Sequence, residues 1–354
     1  MNMYRYIKET QSYLETMITE KTNLYFPLAK KYKEKNIEKV VLSGSGSSYN
    51  AALACKNFLQ KILNADIEVI YPFAINEYTF HVKRNTLFIG ISQSGESMST
   101  YNAMKIAKNK KCIIASMSGN KNCLINEISD YQITIRCGKE NCGPKTKGYQ
   151  CTVLNIILLG LEIALKNKYI DNTTFNSYIN NISKSIKKLD NIITRSKKWV
   201  KRNENDFINM NDIKIISTNN NYAIALEGAL KLLETLRCPV TGYELEEFIH
   251  GIYNAVNEKS NIFILHTTNK TNKIQKLKEI LKQWTNKIFI IGCNIKENYR
   301  NLKLNFSKKN DFTYFEYIIP LQILSALIPP KKGINPSIPK DPQFHKKMES
   351  KRKI

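Results

Sequence analysis

The chain has 354 residues, 42% hydrophobic and 24% charged. That balance excludes wholesale disorder and fibrous repeats and, at roughly 100–200 residues per domain, predicts two compact units. Lysine plus arginine number 54 against 30 acidic residues, a net charge of +24. The lysines are spread along the whole chain and cluster densely only at Lys346-Lys347 and Lys351-Arg352-Lys353. The excess therefore reads as a general field that speeds encounter with small anions, and no nucleic-acid partner is expected.

The most apolar run, Val153–Leu165, is broken by Asn155 and Glu162 and falls short of the roughly 20 residues a bilayer span needs. No membrane partner is expected either. The first six residues have no apolar core and no small-residue cleavage site, which argues against secretion. Eight cysteines form no CxxC pair, and His81, His250, His266 and His345 are dispersed. A zinc site is not expected, and the thiols read as reduced and mostly buried in a cytoplasmic protein.

Residues 4–36 read as helical with a break near Pro27. Val40-Val41-Leu42 then runs into Ser43-Gly44-Ser45-Gly46-Ser47-Ser48, followed by a helical stretch over Asn50–Ile62. The same order returns at Leu87–Ile91, Ser92-Gln93-Ser94-Gly95-Glu96-Ser97 and helical Met98–Lys108, before a third strand at Cys112–Ala115. Strands alternating with helices imply βαβ units and a parallel sheet. Residues 152–200 are helical in pattern. The alternation then restarts with Ile213–Ile216 as strand, Ser217–Asn221 as turn and Tyr222–Leu236 as helix. Next come Ile262–Leu265 (strand), Lys270–Trp284 (helix) and Ile288–Ile291 (strand). A last helix around Tyr314–Leu327 precedes a proline-rich tail.

The fold class predicted is α/β, two tandem three-layer sandwiches related by an internal duplication. The divisions expected are a helical segment over 1–36, domains over 37–170 and 205–330, a helical connection over 171–204 and a tail over 331–354.

Both Ser-rich turns lie where a parallel strand hands over to a helix, the edge at which ligands bind in open α/β sheets. Helix N-termini there offer N–H donors and partial positive charge to an anion. Glycine lets backbone approach the ligand, and serine adds donors without bulk. A GxGxxG motif would need glycine where Tyr49 stands, and no GxxxxGK[ST] occurs. The ligand expected is a small phosphorylated molecule and not a dinucleotide.

Ser43–Asn50 and Ile91–Ser97 resemble the two phosphate loops of the sugar isomerase (SIS) domain family. Ala223–Glu234 is similar to the second such domain in the isomerase half of glucosamine-6-phosphate synthase, and Glu247-Phe248-Ile249-His250-Gly251 to its segment bearing the ring-opening histidine. The resemblance covers roughly residues 36–330. It implies a tandem SIS enzyme acting on a hexose 6-phosphate, a homodimer with its active sites at the subunit interface. It further implies that Ser47, Ser48, Ser92, Gln93, Ser94 and Ser97 grip the phosphate and nearby hydroxyls. Thr146 and Lys147 fall in the segment that closes over the sugar, Glu234 is the general base, and His250 the acid. The glutamine-hydrolysing domain and the Asn-Leu-Ala-Lys tail of the synthase find no counterpart, the tail here reading Pro339–Lys346. The chain thus looks more similar to the fructosamine 6-phosphate deglycases, with amino-sugar phosphate isomerase or deaminase, and a non-catalytic sugar-phosphate sensor, as the alternatives.

One base and one acid suffice for that chemistry, so no metal or organic cofactor is expected. Against these assignments stand plainer roles. Glu234 alone is an ordinary helix-face carboxylate, and His250 alone a core histidine. Glu227 and Lys231 are spaced as a helix-stabilising ion pair, and Ser45 as a turn cap. Thr146 and Lys147 suit a surface loop as well as a sugar contact. His345 suits a solvated tail as well as a site reached from the tail, and His81 and His266 read as structural.

Overall fold

The computed structural model describes residues 2–20, 23–78, 80–82, 85–218, 221–266, 271–306 and 312–352. By contact the chain divides into two units. One comprises Ser12–Glu140, Lys147–Asn180 and Lys340–Ile354, and the other Met1–Gln11, Asn141–Thr146 and Asn181–Pro339. The C-terminal tail thus belongs with the first sheet.

The chain begins with α1 (Asn2–Thr19) and α2 (Phe26–Glu34), the latter started by Pro27 in its first turn, where the missing N–H costs nothing. The first sheet follows: β1 (Lys39–Gly44), α3 (Ser47–Ile62), β2 (Asp66–Ile70), β3 (Thr86–Ile91), α4 (Met98–Asn109), β4 (Ile113–Ser118), α5 (Leu124–Glu127) and β5 (Tyr131–Thr134). All its pairings are parallel, in the order β2-β1-β3-β4-β5. The inner strands are continuous apolar runs because helices cover both faces; β3 is buried along its whole length. The edge strand β2, half-exposed beyond Ile67, carries too little pattern to be read from sequence.

Helix α6 (Lys147–Lys166) packs on α2 and α3. It is longer than the sequence reading allowed, and by length and composition it is able to cross a bilayer, but 83% of its most apolar window is buried inside the protein. Asn155, which interrupts its apolar run, is satisfied there: Oδ1 accepts from the Tyr25 hydroxyl at 2.7 Å and Nδ2 donates to the Cys151 carbonyl at 2.9 Å.

After α7 (Asn172–Ile186), α8 (Leu189–Arg202) and α9 (Glu204–Ile208) the second sheet begins. Its elements are β6 (Asp212–Ser217), α10 (Tyr222–Leu236), β7 (Val240–Glu244), α11 (Leu245–Phe248), β8 (Ser260–His266), α12 (Thr271–Leu281), β9 (Ile288–Gly292) and β10 (Leu302–Lys303). Helix α13 (Tyr314–Leu327) packs on α8 and α10, and α14 (Phe344–Lys347) lies in the tail. Strand order is β10-β9-β8-β6-β7, again all parallel. With β6 in the place of β1, this is the same order as the first sheet, so the duplication expected from sequence holds at the level of topology. Of the expected turn and helix starts, Asn219, Asn220 and Lys270 lie outside the described residues.

Seven of the eight cysteines are buried, Cys238 is half-buried, and all are free thiols. Burial raises the Cys112 thiol to about 11 and holds Cys151 well above its ordinary value.

Candidate active site

The sheet order sets where a ligand can sit. In the first unit, β1 and β3 are neighbours whose connections leave in opposite directions along the sheet, the switch point at which open α/β sheets open a crevice at the strands' carboxyl ends. Both Ser-rich loops leave from those two strand ends. Gly44 makes this possible: a Cβ there would lie 2.8 Å from both the Ile91 carbonyl oxygen and the Ser48 Cβ. Only glycine lets the loops close to that distance. Ser47 and Ser48 form the first turn of α3 and are half-buried, while the wholly buried Ser43 hydroxyl has no partner among the described residues.

The second loop is tied down internally. Ser92 Oγ accepts from Gly95 N at 3.2 Å, Ser94 Oγ from Glu96 N at 3.3 Å, and Ser97 caps α4 by accepting from Thr100 N at 3.4 Å. Gln93 turns its amide toward Glu140 Oε2 (3.5 Å) and Cys137 Sγ (3.4 Å). It packs so closely on the start of α6 that a Cβ at Gly148 would meet Gln93 Nε2 at 2.0 Å.

Glu140 was not legible as a site residue in sequence. Buried, it accepts from Lys147 N at 3.2 Å and Gly148 N at 2.9 Å, so its negative charge sits on the N-terminus of α6, where the helix dipole stabilises it. Thr146 and Lys147 are wholly buried, not on a surface loop. The Lys147 ammonium lies 3.9 Å from the centre of the Tyr13 ring, a cation–π contact, and the Thr146 carbonyl accepts from Gln322 at 3.4 Å.

The second unit carries the other chemistry. Glu227, Lys231 and Glu234 follow one face of α10 at helical spacing. Lys231, 1% exposed, reaches Glu227 Oε1 at 3.7 Å and Glu234 Oε2 at 2.6 Å. Glu227 is fully buried, whereas the Glu234 side chain is 34% exposed. The expected ion pair exists, but in the interior, and the same ammonium orients Glu234 by one carboxylate oxygen. The i,i+4 spacing was the signal, but spacing alone does not report burial.

His250 stands apart from this cluster. It is exposed, just beyond α11, its backbone N–H donating to the Glu247 carbonyl at 3.0 Å. Among the described residues no hydrogen bond or ion pair joins it to Glu234. Topology accounts for this. β6 runs into α10, which returns along the sheet, and β7 runs forward again to α11. Glu234 is therefore near the amino edge of the second sheet and His250 at its carboxyl edge. Burial, with the carboxylates of Glu247 and Glu244, raises the Tyr222 phenol at the start of α10. That places the Glu244–Glu247 segment at the end of α10 opposite Glu234, about 18 Å away along a helix rising 1.5 Å per residue.

Two doubly wound sheets of identical strand order, the first with hydroxyl-lined loops at its switch point, define a duplicated α/β protein. The chain belongs to the SIS domain family, whose sequence profile matches residues 33–161 and 206–299. A crystal structure of a candidate phosphosugar isomerase from Clostridium difficile 630 is 44% identical, covers 99% of both chains and superposes with a TM-score of 0.94. A candidate sugar-binding protein from Salmonella typhimurium LT2 is 37% identical over 92% of this chain and 99% of its own, with a TM-score of 0.86. A probable glutamine–fructose-6-phosphate aminotransferase (isomerizing) of Acanthamoeba polyphaga mimivirus is 28% identical over 95% of this chain but only 56% of its own length. The chain spans about half the length of the relatives of that kind.

Proposed function

We propose that the protein is a fructosamine (ketosamine) 6-phosphate deglycase, releasing glucose 6-phosphate and an amine or amino acid. The observation that carries the reading is the meeting of two hydroxyl-lined loops at the β1/β3 switch point. Ser47, Ser48, Ser92, Gln93, Ser94 and Ser97 hold the phosphate and neighbouring hydroxyls there, and Thr146 and Lys147 shape the wall at the start of α6.

Glu234, oriented by Lys231, removes a proton from C1 of the ketosamine; the electron pair forms the C1–C2 double bond of an enaminol as the C2 carbonyl π pair moves onto its oxygen, which takes up a proton. Protonation at C2 gives the imine of an aldose. Water adds at C1, and the C1–N bond breaks to release the amine. His250 supplies the acid that opens the ring and protonates the departing group. No step needs a cofactor. Because Glu234 and His250 occupy opposite edges of one sheet, His250 serves the site of a second copy, and the working unit is a homodimer with interfacial active sites. The buried free thiols suit a cytoplasmic setting.

Aldose–ketose isomerisation of a hexose or amino-sugar phosphate is the second reading. It uses the same base and is favoured by the likeness to the candidate phosphosugar isomerase of Clostridium difficile 630. Incubation with fructoselysine 6-phosphate and enzymatic assay of glucose 6-phosphate separates the two. Release of glucose 6-phosphate, lost in Glu234→Gln, is expected. Turnover of glucosamine 6-phosphate or fructose 6-phosphate in its place replaces the deglycase with the isomerase or deaminase, and a wild-type rate in Glu234→Gln removes the base.

A further inference from the structure

The candidate phosphate ligands Ser47, Ser48, Ser92, Gln93, Ser94 and Ser97 are all uncharged, and the Lys147 ammonium is spent on the Tyr13 ring. A phosphate monoester near pH 7 carries close to two negative charges. Neutral donors orient such a group, but a cation adds the stronger, charge-assisted bond.

The C-terminal tail brings cations to this place. Ser97 and Lys351 form an antiparallel bridge, closed by Met98 N donating to the Ser350 carbonyl (3.2 Å) and Arg352 N to the Glu96 carbonyl (3.1 Å). The hydrogen bonds thus flank the Ser97–Lys351 pair instead of joining it. In such non-hydrogen-bonded pairs the Cα atoms stand only about 4.5 Å apart and the two side chains emerge close together on one face. Lys351 is exposed, and its four-carbon stem has ample reach to anything held by the Ser97 hydroxyl.

A latch fixes the bridge. The Arg352 guanidinium contacts both oxygens of the buried Glu96, at 2.9 and 3.2 Å, and also pairs with Glu127. Planar two-point recognition of a carboxylate is what arginine does best. Upstream, the tail is braced by His345 Nδ1 against Ser350 Oγ at 2.8 Å and by Lys347 on Asp341 at 2.7 Å. Lys346, Lys347, Lys351 and Arg352 therefore lie on a folded strap at the rim of the second loop.

We propose that Lys351 is a phosphate-binding residue, carried to the Ser97 loop by a C-terminal strap that Arg352 latches onto Glu96 and Glu127. The inference rests on the reading of the serine loops as the phosphate site. It assigns the strap a part in affinity for the 6-phosphate and none in the proton transfers.

Calorimetric titration of the full chain with glucose 6-phosphate tests it. Wild type binds. Lys351→Gln weakens binding about fivefold, the upper range for an exposed charge pair, and the loss shrinks at high salt. Lys351→Arg keeps the affinity. Arg352→Ala, which frees the strap, loses as much as Lys351→Gln. Melting temperatures stay at the wild-type value in the two Lys351 variants, because substitutions of an exposed side chain shift stability little, whereas Arg352→Ala lowers it as well, since the buried Glu96 loses its partner. Unchanged affinity in Lys351→Gln overturns the inference while leaving the serine site standing. So does a loss confined to Arg352→Ala, which would assign the effect to the strap's backbone. Absence of glucose 6-phosphate binding by wild type overturns the phosphate reading, and this inference with it.

Discussion

Replacing Lys231 by methionine exposes the energetics of the α10 cluster. The ammonium is 1% exposed and sits between a fully buried Glu227 (3.7 Å) and a Glu234 (2.6 Å) whose side chain is 34% exposed. The Glu234 contact is partly solvated, so its loss alone costs at most about 1 kcal/mol. Glu227 decides the magnitude. Deprived of this counter-ion it is a buried acid without the cation beside it, and breaking a buried pair from one side costs about 3–5 kcal/mol. In a unit of this size that lowers the melting temperature by roughly 6–20 °C. Removing both charges, as Lys231→Met with Glu227→Gln, leaves a neutral pair of similar volume and recovers most of the loss. The assay is urea denaturation of wild type, each single variant and the double variant, analysed as a cycle. A Lys231→Met variant within about 1 kcal/mol of wild type, or single effects that simply add, would refute the claim that this ammonium neutralises Glu227 inside the protein.

Subunit complementation follows from the placement of Glu234 and His250. Glu234→Gln and His250→Asn should each be inactive, yet an equimolar mixture refolded together should recover about a quarter of wild-type sites, as half the dimers are mixed and each holds one intact site. No recovery would return both residues to one chain's site. His266 supplies the pH prediction. Buried, with Nδ1 unpartnered among the described residues, its imidazole is held below the ordinary value of 6.5 by desolvation. On lowering the pH through 6.5 the unfolded chain takes up the proton before the folded one does, so stability is full above about pH 7.5 and falls toward pH 5.5. The drop in melting temperature between those values should be smaller in His266→Gln. An equal drop would mean that His266 is not a buried neutral group.

The sequence carried the fold well wherever an element was long or buried on both sides. Tyr222–Leu236 and Tyr314–Leu327 match their helices at both ends. The inner strands were visible as apolar runs, because a parallel sheet covered on both faces needs no alternation. What escaped were elements too short or too exposed to leave a pattern: β2 at the sheet edge, the four-residue β5, and β7, whose Val240–Glu244 mixes buried and exposed positions. The two Ser/Gly loops were legible as strand-to-helix turns because serine caps turns and helix starts and glycine allows the close approach, as Ser97 at α4 and Gly44 beside β3 show.

The partners of the site residues were not legible, because they come from distant chain positions. Glu140 accepts from Gln93, 47 positions earlier, and Arg352 meets Glu96 across most of the chain length. The interval of sixteen positions from Glu234 to His250 is more instructive. On a helix, spacing translates into a face and a distance, and a short interval invites the assumption of proximity. Here the interval contains the end of α10, the whole parallel strand β7 and the whole of the short helix α11. A strand crossed in full carries the chain from one edge of the sheet to the other, so the two residues are separated because the intervening segment folds. In the proposed mechanism the acid therefore comes from a second copy of the chain. That is why the complementation experiment tests the fold's topology as directly as it tests the mechanism.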